Sequence, residues 1–307
     1  MHTTILGCGF SGLHIARELR SDGAVSGTRR GVDDVAALGA AGIDGLVFDP
    51  GKGAIPDGLR EVLAATTHLI SSVAPARRLP LDDPMLAVVA PLVRAGALPA
   101  LAWIGYLSTI GVYGDHDGAW VDEDTPCTSR QPRSLARREA EIAWGVLGET
   151  AKVPVAVLRL SGIYGPGRNA VRDALAGRAR MLVKPGQVFN RIHVSDLARA
   201  VALAARAGFG GVLNVSDDKP AAPEAVIRHA HALVGRDAPP AVPFEDADIS
   251  AMARSFYAEN KRVDNAASRR VLGLQYRFPD YRAGLASLVD GALADAGVTA
   301  GEAVDSG

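Results

Sequence analysis

The sequence predicts an α/β fold with a doubly wound parallel sheet and a smaller carboxyl-terminal lobe. Through the first half of the 307-residue chain, short apolar segments alternate with segments that have the period of amphipathic helices. Several of the apolar segments are nearly continuous, which is typical of strands that helices cover on both faces. The second half is less regular and contains more turn residues. We therefore expect one sheet domain with a lobe built onto it.

This alternation predicts six strands and five helices in the first half. The predicted strands are residues 3–6, 24–27, 45–48, 68–71, 100–107 and 153–158. The predicted helices are residues 10–20, 32–41, 59–64, 84–95 and 134–147. Later segments are predicted as a helix after residue 168, a hairpin around 184–186, a helix from 195, a strand at 212–215 and two helices after 220.

The same pattern predicts how the chain is divided. Residues 1–165, together with about 191–217, are expected to form the sheet domain. The substrate lobe is expected from about 166–190 and 218–290. Residues 291–307 are rich in Ala, Gly and acids, and we expect them to form a frayed helix and a tail.

Composition narrows the class of protein. Hydrophobic residues make up 48% of the chain. The formal net charge is -1, with acids and bases interspersed. Because this charge distribution offers no basic surface, we expect neither a nucleic-acid partner nor a membrane partner. The cysteines, Cys8 and Cys127, form no CxxC pair, which argues against a disulfide framework or a metal site. The chain enters an apolar strand at MHTTIL without a basic segment, and no apolar run approaches the roughly 20 residues of a membrane span. We expect a cytoplasmic monomer or homodimer that acts on a small molecule.

A glycine-rich segment joins the first predicted strand to the first predicted helix, and it reads GCGFSG. Gly7 permits a tight turn, Gly9 allows the backbone to approach a pyrophosphate, and Gly12 lets the helix pack close to the strand. The N–H groups at the start of the helix, at Phe10 and Ser11, are available to phosphate oxygens. In this context of strand, loop and helix, the motif predicts a Rossmann dinucleotide site.

The end of the second predicted strand indicates which dinucleotide is bound. An acid at this position usually contacts the 2′-hydroxyl of the ribose, but here the chain reads Thr28, Arg29 and Arg30. A threonine hydroxyl can donate to a 2′-phosphate and an arginine can pair with it, so the pattern favours NADP(H), with NAD(H) as the alternative. The other interpretation of the two arginines is a solvated loop.

Two more segments are predicted to contact the cofactor. Asp49 follows the third strand, where it either contacts the adenine edge or caps the next segment. The loop after the fourth strand is expected to pass near the pyrophosphate and the nicotinamide, acting mainly through its backbone. Its residues are Ser71, Ser72, Val73 and Ala74.

Five motifs then follow one another in the remainder of the chain. They are STIGVYG at 108–114, Glu141, RLSGIYGPG at 159–167, RIHVSDLA at 191–198 and LNVSDD at 213–218. In this order they resemble the extended short-chain dehydrogenase/reductase superfamily, of the NAD-dependent epimerase/dehydratase type, from about residue 3 to about residue 288. The resemblance implies a nicotinamide cofactor and a substrate bound in the carboxyl-terminal lobe.

Two departures make the chain an atypical member. The glycine loop is one residue shorter than the GxxGxxG that extended members usually carry. Counted back from Glu141, the tyrosine and lysine positions of the family's catalytic YxxxK are occupied by Arg133 and Arg137. An arginine cannot replace a phenol as general acid, because it stays charged. Arg137 can still bind the ribose or a phosphate, and Arg133 either binds an anionic substrate group or faces solvent.

The remaining candidates for chemistry come from the same motifs. Thr109 occupies the family's active-site Ser or Thr position, where a hydroxyl can contact a carbonyl oxygen; otherwise it merely ends a strand. Tyr113 is a candidate replacement for the missing tyrosine, and His193 either exchanges a proton or is hydrogen-bonded into the lobe interface. Tyr164 is expected either to contact the substrate or to pack against its neighbours, and Arg191 either binds a phosphate or acidic group of the substrate or lies at the surface.

The sequence supports two classes of function. The first is an NADP(H)-dependent oxidoreductase that acts on a small carbonyl or hydroxyl compound. A nucleotide-sugar epimerase or dehydratase belongs to the same class, but the loss of YxxxK weakens it. The second is a non-catalytic dinucleotide-binding sensor or regulatory protein, because fold alone does not establish catalysis.

Overall fold

The computed structural model describes residues 1–52 and 54–296. It begins with β1 (His2–Leu6), and the later strands are β2 (Ala24–Arg29), β3 (Asp44–Val47), β4 (His68–Ser71), β5 (Trp103–Thr109), β6 (Trp120–Val121), β7 (Val155–Leu160), β8 (Gly162–Tyr164), β9 (Met181–Val183), β10 (Arg191–His193), β11 (Gly211–Val215), β12 (Ala241–Pro243) and β13 (Arg262–Val263).

The helices alternate with these strands. They are α1 (Phe10–Leu19), α2 (Val32–Ala40), α3 (Asp57–Ala65), α4 (Pro84–Arg94), α5 (Pro132–Ala151), α6 (Ala170–Leu175), α7 (Val194–Arg206), α8 (Pro223–Leu233), α9 (Ala251–Phe256), α10 (Ala266–Leu272), α11 (Tyr281–Ala286) and α12 (Val289–Ala296). Short 3-10 helices cover Arg20–Asp22, Ile110–Tyr113 and Phe244–Asp246. Over the residues described, no helix has the length and hydropathy needed to cross a membrane.

Seven parallel strands form the central sheet in the order β11-β7-β5-β4-β1-β2-β3. The strand order reverses between β1 and β4. Ile5 of β1 lies beside Gly27 of β2 on one side and Ile70 of β4 on the other. In a sheet of this kind, ligands bind beyond the carboxyl ends of the strands at the point of reversal. The predicted doubly wound α/β fold is confirmed, and the six strands and five helices predicted in the first half are present with ends shifted by a few residues.

The second half differs from the sequence prediction in two respects. The segment around 184–186 does make a turn, with Gly186 at a φ of 77°, but it is not a hairpin. The strand before that turn, β9, pairs in parallel with the distant β12 instead. Five helices, not two, follow residue 220 within the described part of the chain. Turn residues indicate where the chain bends, but they do not specify which strand a neighbouring segment pairs with.

Apolar side chains pack on both faces of the sheet. One cluster contains Ile15 of α1 and Val201 of α7, and the other contains Val89 of α4 and Trp144 of α5. A third cluster packs α6, α8, α11 and α12 together and draws its residues from Tyr164 onward. The predicted domain limits stay a prediction. Of the predicted tail, residues 291–296 lie in α12, and residues 297–307 are outside the described residues.

A buried ion pair connects α5 to the sheet. The Arg159 guanidinium on β7 donates from Nη2 to Glu141 Oε2 at 2.9 Å and from Nε to Glu141 Oε1 at 3.2 Å, and both side chains are 7% exposed. Ser108 Oγ of β5 donates to the same carboxylate. Because a buried charge is tolerated only when it is paired and hydrogen-bonded, this contact determines where α5 packs.

Tyr113 belongs to the same network, which corrects its prediction as a replacement proton donor. Its hydroxyl donates to Asn214 Oδ1 at 2.7 Å and accepts from Arg159 Nη1 at 3.1 Å. The side chain is fully buried, and burial raises the pKa of the phenol to about 12. Tyr113 thus links the 3-10 helix after β5 to β11.

His193 also has a structural position, in agreement with the second interpretation of that residue. Its Nδ1 accepts from the Ser195 N–H at 3.2 Å, which caps the start of α7. The ring packs between Tyr164 and Phe278, with centroids 5.3 and 4.1 Å away. Burial, aided by the positive charge of Arg277 nearby, lowers the pKa of the imidazole to about 4.

Removing one partner of the ion pair should destabilise the protein strongly. We expect Glu141→Ala to lower the free energy of unfolding by about 3–5 kcal/mol, because Arg159 is left buried without its counter-charge. Urea denaturation of the two proteins measures the difference. Glu139→Ala removes an exposed carboxylate from the same helix, and it should change the free energy by less than about 0.5 kcal/mol. Similar losses in the two variants would contradict the assignment.

The low pKa of His193 predicts a loss of stability in mild acid. In the unfolded chain this ring takes up a proton near its ordinary pKa of about 6.5, whereas in the folded chain it does not. Protonation therefore stabilises the unfolded state, and the free energy of unfolding decreases as the pH falls. Between pH 6.5 and 4.5 the wild type should lose about 2–3 kcal/mol more than His193→Asn, which keeps a capping side chain without titrating. Urea denaturation at both pH values tests this, and equal losses would show that His193 is protonated in the folded state.

Candidate functional site

The glycine loop is held in a conformation that requires glycine at its first position. Gly7 has a φ of 83°, and a Cβ there would lie 2.4 Å from Val73 Cγ2. The Gly7 carbonyl accepts from the Gly9 N–H and from Ser72 Oγ, each at 2.7 Å. The loop therefore has one well-defined shape, fixed by β1, β2 and the segment after β4.

The loop leads directly into α1. The first N–H groups of any helix have no partner within the helix. In α1 the preceding residue is Gly9, which has no side chain to cap them. Gly12 faces the loop and β1, where a Cβ would lie 3.1 Å from the Gly7 carbonyl oxygen and 3.2 Å from Ile5 Cγ2. Open N–H groups at a helix start, next to a close backbone turn, form a site for a pyrophosphate.

Thr28 acts on the loop and not as the predicted donor to a 2′-phosphate. Its Oγ1 accepts from the Gly7 N–H at 2.9 Å, and the side chain is buried. Arg29 ends β2 and is half-buried, and its Nε has no hydrogen-bond partner among the described residues. Arg30 is exposed. Of the two interpretations of Asp49, the local cap is the one observed, since its Oδ1 accepts from the Gly51 N–H at 3.1 Å.

The loop after β4 mostly shapes the glycine loop. Ser72 and Val73 contact Gly7, and Ser71 is fully buried, with no hydrogen-bond partner for its hydroxyl in the described part of the chain. Ala74 alone of these four lines the large cavity beyond the sheet.

This cavity has a volume of about 690 Å³ and opens beyond the carboxyl ends of β4, β5 and β7. Its size is within the range of small-ligand sites. It brings together six of the predicted residues, which are Ala74, Thr109, Arg133, Arg137, Tyr164 and Arg191. Tyr113 and His193 do not line it.

Thr109 presents a hydroxyl to the cavity from the end of β5. Its Oγ1 accepts from the Gly111 N–H at 3.1 Å, which caps the 3-10 helix that follows. A hydroxyl both accepts and donates, so this contact leaves the hydroxyl proton available. Thr109 can therefore donate to a carbonyl or alkoxide oxygen in the cavity.

Arg133 and Arg137 are one turn apart on α5 and line the cavity from that side. Arg133 Nη1 donates to Ser255 Oγ at 3.0 Å, and its guanidinium carbon lies 4.1 Å from the centre of the Phe256 ring. Arg137 Nη1 donates to the Leu107 carbonyl, close to the end of β5. Arg133 is half-buried and lines the cavity, and its binding of an anionic substrate group stays a prediction.

Tyr164 and Arg191 also line the cavity. The Tyr164 ring packs against His193, and burial raises the pKa of its phenol. Arg191 Nη1 donates to the carbonyls of Phe189 and Ala221 at 3.0 and 3.2 Å. Burial lowers the pKa of this guanidinium, an effect that the charge of nearby Asp217 opposes.

Sequence reasoning missed eight of the thirteen polar residues that line the cavity. Glu259 and Lys261 form a buried ion pair, with Lys261 Nζ 3.0 Å from Glu259 Oε2. The other missed polar residues are Arg77, Ser134, Ser161, Arg168, Asn190 and Tyr257. Several come from the irregular lobe, where no motif singles them out, and only RLSGIYGPG could have drawn attention to Ser161.

Comparisons with known proteins agree with this architecture. The model of the NAD dependent epimerase/dehydratase family matches residues 90–216. A functionally unknown conserved protein from Silicibacter pomeroyi DSS has a solved structure that is 42% identical, with a TM-score of 0.83 over 95% of this chain and 99% of that one. Protein YeeZ of Escherichia coli K12 is 29% identical over 281 residues, which are 90% of this chain and 96% of YeeZ.

A more distant solved structure shares the fold. The UDP-glucuronic acid 4-epimerase of Bacillus cereus, in complex with NAD, is 17% identical, with a TM-score of 0.74 over 95% of this chain and 97% of its own. The chain thus has the fold of this epimerase, and its residues 90–216 match the NAD dependent epimerase/dehydratase family.

Proposed function

We propose that the chain binds NADP(H) and interconverts a small carbonyl compound and its alcohol in the cavity. The observation that carries this proposal is Thr109, whose hydroxyl proton is available at the carboxyl end of β5. The glycine loop lies beyond the same edge of the sheet, so a dinucleotide bound there would extend toward Thr109.

The residues present fit the cofactor. The start of α1 is open to the pyrophosphate, and Gly7, Gly9 and Gly12 leave room for it. Arg29 is the residue that would pair with a 2′-phosphate, and Arg137 would hold the nicotinamide ribose. When bound, the nicotinamide supplies or accepts the hydride.

The chain's own residues must orient the carbonyl and supply a proton. In this proposal Thr109 donates a hydrogen bond to the carbonyl oxygen, which favours the developing negative charge. Lys261 is the proton source, because it lines the cavity and, among residues 1–52 and 54–296, two of its three N–H groups are engaged, by the Gly114 carbonyl and Glu259. Arg133 and Arg137 stay charged and cannot take that role.

The cofactor preference is tested by fluorescence titration. NADPH should bind at least about tenfold more tightly than NADH, a difference of about 1.4 kcal/mol. Arg29→Ala should remove most of that difference, because the 2′-phosphate loses a charge-assisted partner. Arg94→Ala removes an exposed arginine at the end of α4 and should leave both affinities unchanged. Equal affinities in the wild type would contradict the preference for NADP(H).

The role of Thr109 is tested by kinetics with a panel of aldehydes and ketones. Thr109→Val should lower kcat by about 100-fold, because it removes a donor to the reacting oxygen. Thr109→Ser keeps the hydroxyl and should keep most of the activity. A Thr109→Val enzyme as active as the wild type would exclude this role.

The arginines at the YxxxK positions support a second candidate, a non-catalytic NADP(H)-binding sensor. Its expected signature is tight NADPH binding without turnover across the panel, together with a change in oligomeric state on binding. Interconversion of a nucleotide sugar is a third candidate, supported by the fold shared with the epimerase. Turnover of UDP-glucose or UDP-glucuronic acid would favour it over the first proposal.

A further inference from the structure

We propose that the substrate carries a carboxylate or phosphate group next to the reacting carbon, and that Arg133 binds this group. The inference rests on the proposed function, because it names the class of compound that the same cavity accepts. It follows from the charge of the cavity, from the partners of its arginines and from the position of Arg133.

The cavity is strongly cationic. Its lining contains one acidic residue, Glu259, which is already paired with Lys261 at 3.0 Å. Five arginines remain, and none lies within 4 Å of a carboxylate in residues 1–52 and 54–296. They are Arg77, Arg133, Arg137, Arg168 and Arg191. So many positive charges in one concave site repel one another unless a ligand supplies negative charge.

The partners that these arginines do have are neutral. Arg133 donates to a serine hydroxyl, and Arg137 and Arg191 donate to backbone carbonyls. Burial lowers the pKa of Arg191, which is the effect expected of a poorly compensated cation. These contacts hold the side chains in place while leaving other guanidinium N–H groups available.

The cofactor's own phosphates account for only part of this charge. The glycine loop and Arg29 lie outside the lining of the cavity. Arg168 is the lining arginine beside the loop, with its guanidinium carbon 5.8 Å from the centre of the Phe10 ring. Arg168 can therefore reach a pyrophosphate at the start of α1, and Arg137 is assigned above to the ribose. Arg77, Arg133 and Arg191 are left for the substrate.

Arg133 lies beside the reacting position. The start of α5 abuts the end of β5 at Gly111. A Cβ at Gly111 would be 3.1 Å from Ser134 Oγ, in the first turn of α5, and 3.4 Å from Thr109 Oγ1, at the end of β5. Arg133 precedes Ser134, and its guanidinium is held by Phe256 and Ser255. Arg133 and Thr109 line the same cavity, so one small ligand can present its acid group to Arg133 and its carbonyl to Thr109. A short oxo acid or a phosphorylated ketone has this arrangement.

The test uses matched charged and neutral probes. Calorimetric titrations of the full-length protein saturated with NADP⁺ compare 2-oxobutyrate with its methyl ester, and dihydroxyacetone phosphate with dihydroxyacetone. In at least one pair the charged member should bind at least about tenfold more tightly. Preference in the first pair identifies a carboxylate, and preference in the second identifies a phosphate. If NADP⁺ does not bind, the proposed function fails, and the same titrations without cofactor still test the anion site.

Variants assign the effect to Arg133. Arg133→Gln should reduce the charged-to-neutral ratio to within about threefold, while Arg133→Lys should restore part of it. Arg138→Gln makes the same charge change on the same helix outside the cavity, and it should leave the ratio unchanged. Unchanged NADP⁺ affinity shows that each variant is folded. Three outcomes would overturn the proposal. The first is that neither charged probe is preferred, and the second is that the charged-to-neutral ratio of Arg133→Gln is unchanged. The third is that UDP-glucose binds and neither short acid does.

Discussion

The buried ion pair between Arg159 and Glu141 is the contact on which the candidate site depends. It fixes α5 against β7, and through Ser108 and Tyr113 it connects the same helix to the end of β5 and the 3-10 helix after it. Arg133 and Arg137 are carried by α5, and Thr109 ends β5. The spacing between these three side chains is therefore a consequence of one charge pair that burial makes obligatory.

The glycine loop and the cavity are built from different parts of the chain. The glycine loop is shaped by β1, β2 and the segment after β4, and its side-chain contacts serve mainly to hold the backbone. The cavity beyond β5 and β7 is instead lined by charged side chains from α5 and from the lobe. Arg133 and Arg137, at the positions counted for the tyrosine and lysine of YxxxK, place two permanent positive charges in the lining of this cavity.

Two incorrect expectations had a common origin. Tyr113 and Thr28 were assigned chemical roles because they are polar residues next to functional motifs. Both are buried, and both satisfy other groups of the protein, Tyr113 through Asn214 and Arg159 and Thr28 through the Gly7 N–H. A sequence shows that a polar side chain is near a motif, but whether it faces a ligand or a buried partner depends on contacts with distant residues.

By itself, the sequence determined the sheet, the glycine loop and the edge of the sheet where the site would lie. Apolar periodicity and glycine spacing are local, so they can be recognised without the remainder of the chain. The tertiary structure alone decided which side chains enter the cavity. Glu259 and Lys261 are more than 100 residues from Thr109 and reach the cavity because the lobe folds over the sheet edge. Their pairing, and the excess of arginine around them, arises from packing between segments that no local pattern connects.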